Sequence, residues 1–255
     1  MKHVLIVYQE GQLQKVLPKI KIILHKRNIT FSKIEREKLS SKCYTCELVI
    51  VVGGDGTFLR ASHYNKNKPM FGINPAPKYK EGFFMQTNLD NFEKPLKKIL
   101  DEKFETIDIL RLKASIDNKK VTELALNDFY IGAIKAYSVF NYNLKFGNKT
   151  EFQRGSGIVI GTPAGSTAWT KSAGGEILKI TDKKFQFVAR ELYEANLTKN
   201  YKLRKGVLSK DQILEIQCKC PGILIVDCVG HEYETFVGSI VKISVSNYPL
   251  KYIKI

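Results

Sequence analysis

Residues 47–54, Glu-Leu-Val-Ile-Val-Val-Gly-Gly, constrain the fold more than any other stretch. A short continuous aliphatic run rich in β-branched residues predicts a strand buried on both faces, as in a parallel sheet covered by helices. It stops at Gly53-Gly54-Asp55-Gly56-Thr57, and a helix is predicted from about Thr57 to Tyr64. The same alternation surrounds it. HVLIVY (3–8), ITFSKIE (29–35) and MFGIN (70–74) read as strands, and PAPKYKEG (75–82) as a loop on its Pro, Gly and Lys content. Leu13, Val16, Leu17, Ile20, Ile23 and Leu24 fall at helical spacing within 12–27, with Pro18 expected to interrupt the ladder. Residues 89–102 read as an amphipathic helix through Phe92, Leu96, Ile99 and Leu100. Strand–helix alternation of this kind predicts an α/β N-terminal domain with a parallel sheet over residues 1–103, its ligands at the carboxyl ends of strands.

After residue 104 the texture changes to strand-like segments joined by turn signals, such as ILRLKASI, SVFNYNLKF, GIVIGTP and GILIVDCV. These predict a β-rich, β-sandwich-like C-terminal domain over 104–255, interrupted near 165–176 by a short helix. Whether the last residues return to the first domain is left open. No internal repeat or low-complexity linker separates the halves.

Composition excludes several classes. The 255 residues are long enough to bury a sizeable core without staples, and 44% hydrophobic with 26% charged residues is a globular balance. No apolar run approaches the roughly 18 residues of a membrane span, and the N-terminal stretch lacks a signal sequence's cleavage site, so no membrane partner and a cytoplasmic residence are expected. The net charge of +16 comes from 41 basic against 25 acidic residues, but only 7 of the basic ones are Arg and no block of five lysines occurs. That pattern reads as a lysine-rich surface that draws polyphosphate ligands into a cleft, rather than as a nucleic-acid reader built on arginine forks. Cys43 and Cys46 form a C-x-x-C and Cys218 and Cys220 a C-x-C, read as two positions on one face of a strand. With Cys228 the count is odd, so free thiols are expected and no metal-ligating residue is assigned.

Two segments carry chemistry. Gly53-Gly54-Asp55-Gly56-Thr57 permits close backbone approach, so successive N–H groups and the following helix's N-terminus can line a phosphate. An acid amid such donors suits a general base acting on a hydroxyl, or a group organising Mg2+. The plainer alternative is a tight turn with Asp55 capping the helix. There is no G-x-x-x-x-G-K-[ST], and Gly155-Ser156-Gly157 with Gly161 fails the dinucleotide fingerprint, which disfavours a P-loop enzyme and a hydride-transferring dehydrogenase. The second segment, Gly161 to Gly175, is dense in Gly, Ala, Ser and Thr around Trp169, the only tryptophan.

Taken together, G-G-D-G-T after an aliphatic strand, an Asn-acid pair at 127–128 and T-P-x-G-S-T-A-x-x-x-S-x-G-G resemble the NAD kinase family over most of the chain. GGDG alone is shared with lipid kinases and phosphofructokinases; the TPxGSTA segment is much narrower. The resemblance implies ATP-dependent phosphorylation of the adenosine-ribose 2′-hydroxyl of NAD to give NADP, with Mg2+ accompanying ATP. It implies that Asp55 is the catalytic base and that Gly54, Gly56 and Thr57 shape the phosphate pocket. Phe83 would lie beside adenine, Asn127 and Asp128 would hold the adenosine portion, and Thr167, Ala168, Trp169 and Ser172 would line the NAD pocket. It further implies a homo-oligomer, a dimer or tetramer, with ATP or polyphosphate as donor.

The chain departs from the family pattern at several points. Asn74–Gly82 is longer than the usual loop, and Trp169 replaces a tyrosine. Ser156 stands where many members carry an Asp facing the nicotinamide half, and Val229-Gly230-His231 occupies a place where an Asp is common. Two rival readings remain at this point: a lipid kinase of the diacylglycerol type sharing GGDGT, and a non-catalytic basic nucleic-acid-binding protein on a degenerate kinase fold.

Overall fold

The computed structural model describes residues 1–79, 82–194 and 200–255. The chain forms two compact units, Met1–Asp108 with Pro249–Ile255, and Ile109–Tyr248.

The first unit contains β1 (His3–Tyr8), β2 (Thr30–Glu35), β3 (Leu48–Val52), β4 (Met70–Asn74), β5 (Thr87–Asn88) and β6 (Glu105–Ile109). Its helices are α1 (Leu17–His25), α2 (Asp55–His63) and α3 (Glu93–Leu100). β1 pairs with β2 and β3, and β3 with β4, all in parallel. Every residue of β3 and of β4 is buried, as their continuous apolar sequences require when helices cover both faces. Burying each such side chain contributes about 1.5–3 kcal/mol, so this pair of strands anchors the unit.

Several local expectations are corrected. Pro18 does not break a helix: the segment divides into a 3-10 turn at Leu13–Lys15 and α1, and Pro18 falls in α1's first turn. There its missing N–H has no intrahelical partner to lose. Residues 105–109 belong to the first unit's sheet rather than to the β-rich half, because β6 extends that sheet along an edge. The texture of the sequence changes at 104, but sheet membership is decided by pairing, and the division falls after Asp108. Of the loop expected at 75–82, Lys80 and Glu81 lie outside the described residues.

The second unit holds β7 (Leu112–Ile116), β8 (Lys119–Lys120), β9 (Asp128–Gly132), β10 (Phe140–Phe146), β11 (Lys149–Gly155) and β12 (Gly157–Gly161). These are followed by the short helix α4 (Trp169–Ser172), then β13 (Lys184–Arg190), β14 (Lys205–Ser209), β15 (Leu214–Cys218), β16 (Gly222–Val226), β17 (His231–Thr235) and β18 (Ile240–Val245). They make two six-stranded sheets, ordered β11-β10-β15-β18-β7-β8 and β14-β13-β12-β9-β16-β17. Alternate residues such as Phe140, Tyr142 and Leu144 of β10 meet Phe129 and Ile131 of β9 and Phe185 and Phe187 of β13 in one core. This is sheet-on-sheet packing. Cys218 ends β15 in that core, whereas Cys220 lies beyond the strand and is only half-buried, so the two thiols do not alternate within one strand as expected.

The chain closes with β19 (Leu250–Lys254), which pairs in parallel with β4 of the first unit at Tyr252 and Met70. Gln86 ties the two strands by donating to the Met70 and Ile253 carbonyls at 3.3 and 3.0 Å. Among the described residues no helix is long and apolar enough to cross a membrane.

Candidate functional site

In the first unit, β3 runs straight into the glycine turn, and Gly54, extended, is the residue preceding α2. The Gly54 carbonyl accepts from Thr57 N–H at 2.9 Å and Phe58 N–H at 3.2 Å. Gly53 has to be glycine: a Cβ there would lie 2.5 Å from Thr57 Oγ1. Thr57 is wholly buried, so it shapes the turn from inside; Gly54 is buried too, and only Asp55 and Gly56 are half-buried and open toward the surface.

Asp55 is the first residue of α2, half-buried, at the positive end of the helix dipole. Its carboxylate does not cap the helix. Oδ1 accepts from Phe84 N–H at 2.9 Å and Oδ2 from Phe83 N–H at 3.0 Å. A carboxylate has about four acceptor sites, so two remain for another donor. Phe84 stacks on Phe58 with ring centroids 5.2 Å apart, fixing the turn that presents these amides, while Phe83 is 51% exposed. Burial and the charge of Asp55 push the Tyr252 phenol up to about 12. Arg36, which the motif reading missed, places Nη1 3.4 Å from Thr57 Oγ1. It follows β2, far from the motif in sequence, and only strand order brings it to the glycine turn.

In the second unit the Asn127–Asp128 pair sits where β9 begins, held from two directions. Asp227, just after β16, accepts the backbone N–H groups of Leu126, Asn127 and Asp128 at 2.8 to 2.9 Å. From the other side Thr162 Oγ1 donates to the Leu126 carbonyl at 2.5 Å, and Thr162 N–H to the Asn127 carbonyl at 2.8 Å. A Cβ on Gly165 would run into the Asn127 backbone, which explains the glycine in T-P-A-G-S-T. Asn127 Oδ1 is buried and has no hydrogen-bond partner among the described residues. Asp128 is 2% exposed, and burial together with the Asp227 charge pushes its carboxyl up to about 8. Both causes favour the protonated carboxyl, which is a donor as well as an acceptor.

The sequence reading found no acid at Val229-Gly230-His231. The acid of this hairpin is Asp227, two residues earlier, and its left-handed backbone (φ 49°) turns the carboxylate onto the three amides. No spacing rule would have found it.

Beyond Thr162 the chain makes a 3-10 turn at Ala164–Thr167 and then α4. Ser166 is buried and internally bonded, donating to the Pro163 carbonyl at 2.7 Å. Thr167, Ala168 and Ser172 are exposed and Trp169 half-buried, so the open side of the turn carries the residues assigned to ligand binding. Trp169 packs on Tyr130 at 4.9 Å, and the Arg190 guanidinium lies 4.9 Å from the indole centroid. Ser156, half-buried, joins the same patch: its carbonyl accepts from the Tyr130 hydroxyl at 2.7 Å, and its N–H donates to the Arg190 carbonyl at 3.1 Å.

Among the described residues no three His, Cys, Asp or Glu side chains converge as a metal site.

Residues 5–104 match the family model for the ATP-NAD kinase N-terminal domain, and residues 126–255 that for the ATP-NAD kinase C-terminal domain. The chain belongs to the NAD kinase family. A probable NADH kinase of Oryza sativa is 30% identical over 193 residues, 67% of this chain and 59% of its own length. An NAD kinase of Chlorobium phaeobacteroides is 31% identical over 207 residues, 79% of this chain and 69% of its own. The chain thus matches under two thirds of the rice relative. Among solved structures, an Archaeoglobus fulgidus NAD kinase in complex with ATP superposes with TM-score 0.80 at 24% identity, covering 99% of this chain and 93% of that one. A yeast NADH kinase complexed with NADH gives 0.85 at 14% identity, covering 100% and 84%. These two likenesses establish the fold, an α/β unit with a parallel sheet joined to antiparallel β-rich layers, as expected from the alternation and its loss after residue 104. Neither a lipid kinase nor a nucleic-acid-binding protein is among these matches.

Proposed function

We propose that this NAD kinase family member transfers the γ-phosphoryl group of ATP to the adenosine-ribose 2′-hydroxyl of NAD, giving NADP. The observation that carries the reading is Asp55: a carboxylate fixed by two backbone amides at a helix head, inside a glycine turn, with free acceptor sites. In this reading Asp55 receives the hydroxyl proton as the oxygen attacks phosphorus, a step for which a positioned base contributes about 10²–10⁴-fold. Gly54, Gly56 and the backbone amides of the turn face the phosphates, Thr57 supports them from within, and Arg36 neutralises charge on the transferred group. Phe83 offers an exposed ring for adenine.

The second unit supplies the dinucleotide pocket. The orphaned Asn127 Oδ1 accepts from the adenosine part, and protonated Asp128 can donate to it. Thr167, Ala168, Trp169, Ser172 and Ser156 line the rest. Mg2+ belongs to this proposal as the companion of the ATP phosphates, supported by family membership. A cytoplasmic residence and assembly into dimers or tetramers belong to the same proposal, supported by family membership and by the exposed Ile134, Tyr137, Phe236 and Val237.

The test is NADP formation from NAD, Mg2+ and ATP by purified protein, with Asp55→Asn alongside. Turnover by the wild type and a loss of at least about 10² in the variant are expected. Near-normal turnover by Asp55→Asn would leave Asp55 as a tie between α2 and the Phe83–Phe84 turn.

A further inference from the structure

In α3, Lys94 and Lys98 are four residues apart, and so are Pro95 and Ile99, which sets a basic stripe beside an apolar one. Pro95 lies in the first turn, where an amide would have no intrahelical partner, and leaves a bare ring next to the buried Ile99. The far end of α3 is capped by two backbone bonds. Glu102 N–H donates to the Ile99 carbonyl at 2.9 Å, and Lys103 N–H to the Lys98 carbonyl at 2.9 Å. Glu102 takes the left-handed conformation that such a cap requires, with φ 59°, at a position where glycine is usual. The cap brings Lys103 back toward Lys98. An apolar contact commonly joins these two positions, and here both are lysines.

Lys94, Lys98 and Lys103 line one cleft of about 730 Å³, with Pro95, Ile99 and Phe104 as its apolar wall. The cleft lies wholly within the first unit and shares no lining residue with the glycine turn. Its volume is that of a small-molecule site, about 300–1,000 Å³.

The three charges are not explained by the helix itself. Like charges four apart repel, and the dipole of α3 favours cations at its C-terminal end but opposes Lys94 in the first turn. Among the described residues none of the three lysines makes an ion pair. The acids of the cleft are engaged elsewhere, Glu102 with the Met1 ammonium at 2.6 Å and Glu105 with Lys254 at 3.9 Å. We infer that this cleft binds a small anionic amphiphile, its phosphate or carboxylate head among Lys94, Lys98 and Lys103 and its apolar body on Pro95, Ile99 and Phe104. A bare inorganic anion would leave the apolar wall wet, and a neutral apolar molecule would leave three ammonium groups unopposed. An ion that carries both parts satisfies both. Ammonium groups act as compact point charges on such a head. The inference does not rest on the kinase reading.

The probe is octyl phosphate, titrated calorimetrically below its micelle concentration without ATP or NAD, with inorganic phosphate and octanol as its separate parts. Octyl phosphate is expected to bind about tenfold or more tightly than either part. Lys98→Gln combined with Lys103→Gln should weaken it about tenfold, and Lys94→Gln about threefold. Lys97→Gln, at an exposed lysine of α3 outside the cleft, should change nothing. Equal affinity for inorganic phosphate or for octanol overturns the inference. So does unchanged binding in the double variant, which would place the probe elsewhere, or an equal loss in Lys97→Gln, which would assign it to diffuse surface charge. Binding to phosphatidylglycerol vesicles without binding of the monomeric probe also overturns it, since the lysines would then face a lipid surface. Should the double variant fail to fold, Lys94→Gln decides. NADP formation is assayed separately, and its absence would reject the kinase reading while leaving the titration to judge this site.

Discussion

At the Gly53–Thr57 turn the backbone itself is fixed by its own neighbours, Gly54 accepting from Thr57 and Phe58, and only the Asp55 side chain reaches further, to the amides of Phe83 and Phe84, 28 and 29 residues on in the same unit. At Asn127–Asp128 the geometry comes from far away. Leu126 is 101 residues from Asp227, the carboxylate that holds it, and 36 from Thr162, whose hydroxyl it receives. The first site is a strand–turn–helix that folds as one piece. The second exists only when β9, β12 and β16 are already in register. A site of the first kind loses chemistry before stability when altered, and a site of the second kind loses both together.

The most severe test of that contrast is Asp227→Ala. It strips three amides, two of them buried, of their common acceptor, and the unfolding free energy should fall by about 3–5 kcal/mol in urea titration. A loss below about 1 kcal/mol would mean that Thr162 and local geometry suffice and that the two sites are alike. Asp55→Asn should behave differently. Turnover drops by about 10² or more, yet stability falls by only about 1–2 kcal/mol, the amide nitrogen having replaced one acceptor facing a backbone N–H. Parallel denaturation and kinetic measurements separate these effects, and an equal stability loss at both sites would erase the contrast.

Asp128 gives a pH signature that the glycine turn lacks. Its folded carboxyl titrates at about 8 against the ordinary 3.8, so between these values the folded protein holds a proton that the unfolded chain has released. Stability from this group is full below about pH 4 and lost as pH rises toward 8, with a slope of at most about 1.4 kcal/mol per pH unit. Asp128→Asn cannot ionise, and its melting temperature should vary less between pH 5 and 8 than that of the wild type. Identical pH profiles would mean that Asp128 is solvated. The smallest effect is expected at Arg36→Gln. The Michaelis constant for ATP should rise about three- to tenfold, with stability changed by less than about 0.5 kcal/mol. An unchanged constant would confine Arg36 to its pairing with Glu37.

Much of the first unit was legible because its signals are local. The aliphatic runs at 3–8, 48–52 and 70–74 are strands within a residue or two, and the glycine turn opens a helix. Pro18 misled because proline's effect depends on its position within the helix, and the start of α1 was placed too early. Residues 105–109 misled because a strand's own sequence does not say which sheet it joins. In the second unit the motifs marked where ligands bind, but not what holds those residues in place. Asp227, Arg36 and Arg190 belong to no motif, and nothing in their neighbours distinguishes them from other charged residues near a strand end.

Local sequence is enough to specify the parallel α/β unit, the strand–turn–helix that carries Asp55 and the small-residue turn from Gly161 to Gly175. Each depends on side-chain period, glycine freedom and steric room, which adjacent residues fix. The return of β19 to β4, the closure of Asp227 over three distant amides and the guanidinium resting on Trp169 come instead from the folded chain. Those arrangements arise from strand order and register. Buried strands are specified by their apolar pattern, but the partner of each polar group is set by which strands end side by side, a relation between residues a hundred positions apart.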